Sequence, residues 1–184
     1  MNVTLNINGE AREVEAQAGD TLLEILRERL GLLGAKRGCN QGVCGACTVL
    51  IDGRPMRGCL SLAVNCAGRQ ITTIEGLADG NTLAPIQQAF VDSGAVQCGF
   101  CIPGMLLTAH ALLAETPNPS VEDVRADRRE ADTVNINAGL VEQEQQQRVV
   151  RIAKARDTDR LPLQIRHTRD RACLLRGHGK GKQR

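Results

Sequence analysis

The sequence predicts an α+β protein in two parts: a small sheet crossed by one helix over residues 1 to about 76, then a helical unit. Three observations carry that prediction. Up to Ile74, apart from one helical stretch at Leu22–Leu30, the apolar residues fall in short strand-like runs, two pairs of them joined by the turn signals Asn8-Gly9 and Asp52-Gly53. From Leu83 onward they recur at helical spacing. Between Gly38 and Cys47, three cysteines and three glycines interrupt the first part in a stretch that follows neither period.

Composition sets the frame for these elements. The 184 residues include no Trp or Tyr and only two Phe, Phe90 and Phe100, so the cores must be built from Leu, Ile, Val and Ala. That supply is thin for small domains, and a metal centre that cross-links loops compensates for it. No apolar run approaches the ~18 residues of a membrane span. The start, Met1-Asn-Val-Thr-Leu-Asn6, is polar and alternating rather than a secretory signal, which points to a reducing, cytoplasmic setting. Residues 1–140 carry 11 Lys and Arg against 16 Asp and Glu, a net of −5, whereas residues 141–184 carry 12 against 5, a net of +7. An acidic body and a basic tail need not share a role.

Taken in order, Val3, Leu5 and Ile7 alternate with polar residues as a half-buried strand does. Asn8-Gly9 is a hairpin signal, and Arg12–Ala16 reads as the return strand. Thr21 with Glu24 fits a capping box, and Leu22, Leu23, Leu26 and Leu30 then follow helical spacing until Gly31 and Gly34 end the helix. After the cysteine loop, Thr48–Ile51 is a strand, Asp52-Gly53 a tight turn and Arg54–Arg57 a short return that delivers Cys59. Ile71–Ile74 is a further strand. Gly76–Asn81 marks a boundary. Helices follow over Leu83–Val91 and from Pro103 to Glu115, and Ser120 with Asp123 opens another after the Thr116-Pro-Asn-Pro119 break. The predicted divisions are 1–76, 77–127 and an atypical tail at 128–184.

The cysteine loop carries the chemistry. Four residues separate Cys39 from Cys44, two separate Cys44 from Cys47, and eleven more lead to Cys59. This is the plant-type spacing for a [2Fe–2S] cluster, in which four thiolates serve two irons. Gly38, Gly42 and Gly45 lack Cβ atoms, so they allow left-handed backbone and let N–H groups approach sulfur. Structural zinc also takes four thiolates, but its motifs more often use two Cys-x-x-Cys knuckles. A disulfide framework is the other reading, and the absent signal disfavours it.

Cys98 and Cys101 form a Cys-x-x-Cys at a helix N-terminus, where the helix field favours thiolates. Three readings compete: a thioredoxin-like redox pair, which needs a preceding strand in a βαβ setting that the sequence does not show; two buried cysteines; and half of a second metal site. Cys66, before the Ala67-Gly68 turn, reads as structural. His110 reads as a core or boundary residue, and His167 and His178 stand in the tail. There is no Ser–His–Asp set, phosphate loop or nucleotide fingerprint, so substrate chemistry belongs elsewhere. The Arg-rich segment from Asp157 onward has the composition of a solvated, disordered arm rather than a nucleic-acid interface.

Several stretches together resemble the small iron–sulfur subunit of the xanthine dehydrogenase and aerobic carbon monoxide dehydrogenase family of molybdenum hydroxylases. They are Gly34–Cys39, the motif to Cys47, Cys59–Val64, Ile71–Leu77, Gln97–Met105 and Thr116–Arg125. The resemblance covers residues 3 to about 125. It implies a β-grasp, ferredoxin-like domain followed by a four-helix domain with a second [2Fe–2S] cluster. It implies that Cys39, Cys44, Cys47 and Cys59 hold the first cluster, that Cys98 and Cys101 hold half of the second, and that Gln97 lies against a molybdopterin. It also implies two partners, a large molybdopterin-binding subunit and a medium FAD subunit. The family completes its second cluster with a later Cys-x-Cys pair, and the corresponding window, residues 128–137, contains no cysteine. The later thiol Cys173 stands alone.

The expected function is therefore electron transfer from a molybdenum site toward FAD or another acceptor. The rival expectations are a freestanding ferredoxin-like carrier, a subunit made inactive by the loss of its second cluster, and a zinc-stabilised structural protein.

Overall fold

Val3, Leu5 and Ile7 are all buried on one face of the first strand, β1 (Asn2–Ile7), as their alternation requires. Asn8 and Gly9 take φ of 52° and 85°, the left-handed pair of a two-residue hairpin. That turn resumes pairing at once, so β2 spans Glu10–Glu15 rather than 12–16, with Ile7 opposite Glu10 and Val3 opposite Val14. The computed structural model describes residues 1–120 and 122–124. The readings of the tail, of the window at 128–137 and of most of the helix after Ser120 lie outside the described residues.

The capping box forms as expected. The Glu24 amide donates to Thr21 Oγ1 at 3.2 Å, and the Thr21 amide donates to Glu24 Oε2 at 3.0 Å. Helix α1 (Leu22–Glu24) then widens over Ile25–Arg29 into a turn closed by i→i+5 bonding, the Leu30 amide donating to the Ile25 carbonyl at 3.1 Å. Leu22, Leu23, Ile25 and Leu26 are all buried, a broader face than a regular helix would present. Gly31 stops the turn at φ 67°.

Strands β3 (Thr48–Ile51) and β4 (Arg54–Arg57) form the second hairpin around Asp52 and Gly53. The last strand, β5 (Gln70–Thr72), is shorter than the expected 71–74. Thr73 turns out of the ladder because its amide and hydroxyl are both taken by the Asn8 side chain, at 2.9 and 3.0 Å. Ile74–Gly76 becomes a single tight helical turn. The mixed sheet runs in the order β2-β1-β5-β3-β4, with β1 parallel to β5 and the other pairs antiparallel.

The helical part differs from the expectation in its placement. Helix α2 spans Pro85–Asp92 and α3 spans Ile102–Glu115. One helix across the sheet does not account for β3, whose four residues are all buried. On one side Val49 and Ile51 pack with α1. On the other, Leu50 packs with Leu107 and Ala111 of α3. The sheet is therefore covered on both faces at β3. Burying a side chain such as Leu107 contributes about 1.5–3 kcal/mol, so this contact is a substantial tie between the two parts. A separate group, Ile86 and Phe90 of α2 with Leu106 of α3, forms the core of the helical part.

Candidate metal centre

The chain reaches the cysteine loop along a fixed path. Arg27 in the widened turn donates through Nη1 to the carbonyls of Leu33 and Ala35, at 3.1 and 2.8 Å. The Lys36 amide then donates to the Ala46 carbonyl at 2.9 Å, which closes the base of the loop. Within the loop Asn40, Gly42 and Gly45 adopt φ of 55°, 77° and 70°. Gly38 does not take positive φ. It is required for space, because a Cβ there would stand 2.7 Å from Cys44 Sγ. A Cβ on Gly42 would overlap the side chain of Leu60.

The backbone aims donors at sulfur. The amides of Gln41 and Cys44 point at Cys39 Sγ from 3.4 and 3.3 Å, and the Cys39 amide points at Cys44 Sγ from 3.4 Å. Those backbone N–H groups favour a thiolate and pull the Cys39 thiol down to about 6. Cys47 and Cys59 form the inner pair, both buried. Desolvation pushes the Cys47 thiol up to about 11, reinforced by its neighbours Cys59 and Cys44. Gly58 links the two strands beneath this pair: its amide donates to the Cys47 carbonyl at 3.2 Å, and its carbonyl accepts from the Leu23 amide at 3.0 Å.

The four thiols thus meet as two pairs, Cys39 with Cys44 and Cys47 with Cys59, with Cys44 next to Cys47. Among the described residues no three Cys, His, Asp or Glu side chains converge on one point. The donor set suits a cluster in which each iron takes two thiolates. Preformed N–H donors to sulfur, and a Gly38 that admits Cys44 only because it has no Cβ, fit the same group.

The second cysteine pair sits at the start of α3. Cys98 is exposed and Cys101 half-buried at the helix cap, with Gln97 exposed beside them. No third Cys, His, Asp or Glu joins them among the described residues. They fit two of the four positions that a second two-iron cluster takes, and the described residues do not supply the others. Cys66 is buried in the apolar core of the sheet, its thiol donating to the Leu62 carbonyl at 3.4 Å. His110 is half-buried on α3.

Sequence reasoning passed over two features of the site. Arg57 is buried beneath the cysteine loop, and its Nε donates to the Gly42 carbonyl at 2.7 Å. Its position at the end of β4, two residues before Cys59, could have flagged it. The other is the approach of α3. Gly104 abuts the Gly45 carbonyl, and Phe100 reaches within 3.6 Å of the space over Gly38. Nothing in a local pattern announces that contact.

Comparison with known proteins extends the assignment to both parts. The 2Fe-2S iron-sulfur cluster binding domain matches residues 5–70, and the [2Fe-2S] binding domain matches residues 73–131. The chain is 45% identical over 124 residues to the nicotinate dehydrogenase small FeS subunit of Eubacterium barkeri, covering 67% of this chain and 79% of that protein. It is 48% identical over 115 residues to the xanthine dehydrogenase iron-sulfur-binding subunit of Escherichia coli O157:H7, covering 62% of this chain and 72% of the relative. Among solved structures, quinoline 2-oxidoreductase from Pseudomonas putida 86 superposes with a TM-score of 0.75 at 42% identity, over 84% of this chain and 94% of that one. Two cluster-binding domains in the same order, a loop with paired thiols and this level of identity lead to one conclusion: the chain belongs to the small iron–sulfur subunits of the xanthine dehydrogenase family of molybdenum hydroxylases.

Proposed function

We propose that the chain is the electron-transfer subunit of a molybdopterin-dependent hydroxylase, holding a plant-type [2Fe–2S] cluster on Cys39, Cys44, Cys47 and Cys59. The observation that carries this is the pairing of those four thiols beneath backbone amides aimed at sulfur. When bound, the cluster supplies one-electron redox chemistry. The residues supply the rest. The Gln41 and Cys44 amides stabilise charge on sulfur, and the buried Cys47–Cys59 side keeps water from the inner half of the site. The half-buried Cys39 and Cys44, with exposed Val43 and Leu60 nearby, leave the outer edge within reach of a partner.

The order of strands, the parallel β1–β5 pair and α1 laid across one face support a β-grasp reading of the first part. Cys98 and Cys101 are proposed as two ligands of the helical part, and Gln97, exposed beside them, as a contact to a molybdopterin on a large subunit. A medium FAD subunit is the proposed acceptor, and the cytoplasm the proposed location. No helix among the described residues is long and apolar enough to cross a membrane. The relatives are oxidoreductase subunits, which favours a subunit over a freestanding carrier, and both matched domains are 2Fe-2S domains, which favours iron over zinc.

The test is iron and acid-labile sulfide per chain on anaerobically purified protein, with EPR after reduction. Equal iron and sulfide, with a reduced-cluster signal that vanishes in Cys39→Ser and Cys47→Ser, is the expected result. Zinc without iron would overturn the proposal.

A further inference from the structure

Among the described residues Arg57 is buried without a carboxylate. Only 6% of it is exposed, and Nη1 and Nη2 are both buried with no hydrogen-bond partner among those residues. None of the ion pairs among the described residues includes it. Its side-chain hydrogen bond among them runs from Nε to the Gly42 carbonyl at 2.7 Å, in the middle of the cysteine loop. A guanidinium offers five N–H donors and remains charged at any ordinary pH. Leaving such a charge buried and unpaired costs several kcal/mol, so a protein that keeps one has an anion for it.

The surroundings identify that anion. Burial disfavours the Arg57 charge most, and the thiols of Cys47, Cys59, Cys44 and Cys39 are the neighbours that favour it. Arg57 stands opposite Thr48 across the β3–β4 ladder, one residue beyond Cys47, and precedes Cys59 by two. It therefore lies under the two strand ends that present the inner thiol pair. With four thiolates, a [2Fe–2S] group carries net negative charge, and reduction adds one more unit. A fixed cation in a poorly screened site interacts more strongly with the more negative state.

Resting on the cluster assignment above, we propose that Arg57 is the buried counter-charge of the plant-type cluster. It clamps the loop through the Gly42 carbonyl and sets the reduction potential by favouring the reduced form. The residue does not bond to iron; it is a positioning and tuning residue.

The experiment is an EPR-monitored redox titration of the full chain, with iron and sulfide counts, for the wild type, Arg57→Gln and Arg57→Lys. Gln keeps a donor for Gly42 but removes the charge, whereas Lys keeps the charge. The expected result is a tenfold or greater fall in the equilibrium constant for reduction in Arg57→Gln, which for a one-electron couple is about 59 mV. Arg57→Lys should stay within about threefold of the wild type. An unchanged midpoint in a fully loaded Arg57→Gln protein would overturn the proposal, as would a Lys variant that falls as far as Gln. If Arg57→Gln retains no iron, the Lys variant decides: a loaded protein near the wild-type midpoint supports the charge, and an empty one overturns it. A wild-type chain that binds no iron refutes the cluster assignment instead.

Discussion

Gly104, in the first turn of α3, lies directly against the carbonyl of Gly45, between two cysteines of the cysteine loop. A methyl group on Gly104 would overlap that oxygen and meet Thr48 Cβ at 3.5 Å. The same carbonyl accepts from the Thr48 amide at 3.1 Å and the Thr48 hydroxyl at 2.7 Å. The loop and the helical part thus meet backbone to backbone at this point, with no side chain to act as a cushion.

Gly104→Ala is predicted to destabilise the protein. Alanine is the better helix former by about 1 kcal/mol. Here the methyl meets backbone rather than a flexible side chain, so α3 must move. Overpacking of this kind costs about 1–3 kcal/mol, and the net effect is a lower Tm. Thermal melts of the full chain check it, and a Tm equal to or above the wild type would show that α3 does not seat on the loop as described.

The glycines of the chain should divide by mechanism. Gly38→Ala places a methyl 2.7 Å from Cys44 Sγ and should lower iron content sharply. Gly53→Ala, in the open β3–β4 turn at φ 79°, meets nothing within 4 Å. It should cost about 1 kcal/mol of stability through strained backbone and leave iron content intact. Iron analysis beside a denaturant melt separates the two outcomes.

The thiols should divide likewise. Cys66→Ser puts a hydroxyl into an apolar core and should lose stability while keeping the reduced-cluster EPR signal. Cys98→Ser, at an exposed position outside the first loop, should leave the plant-type signal unchanged. Loss of that signal in either variant would mean that the paired thiols at 39, 44, 47 and 59 are not the complete ligand set.

Acid should weaken the start of α1. The Thr21 amide and hydroxyl donate to the Glu24 carboxylate and hold it below its usual value of 4.5. A carboxyl with a depressed folded pKa stabilises the fold fully above its unfolded pKa. That contribution fades as pH falls from the unfolded value, below about 4.5, through the folded one. Thr21→Ala should cost about 1 kcal/mol near neutral pH. The gap between variant and wild type should narrow in the acid range. A gap that stays constant down to pH 3 would argue against the carboxylate as its source.

Local sequence rules located much of the first part. Period-2 alternation placed β1, Asn8-Gly9 placed its hairpin, and Thr21 with Glu24 placed the start of α1, because each is decided by neighbours a few residues apart. The cysteine spacing marked the loop for the same reason: ligand geometry constrains short separations. The sequence by itself thus determined the local elements of the sheet and the chemistry of the loop. Tertiary structure decided what depends on distant partners. Asn8 ended β5 early by bonding Thr73, 65 residues away. Helix α3 covered the second face of β3, although the unbroken Thr48–Ile51 run, with no polar alternation, was the available signal of burial on both sides. Arg57 became a buried cation because the fold folded the loop over its strand. Its consequence for the site comes from the electrostatics of a dry enclosure, which no stretch of sequence contains until the chain closes around it.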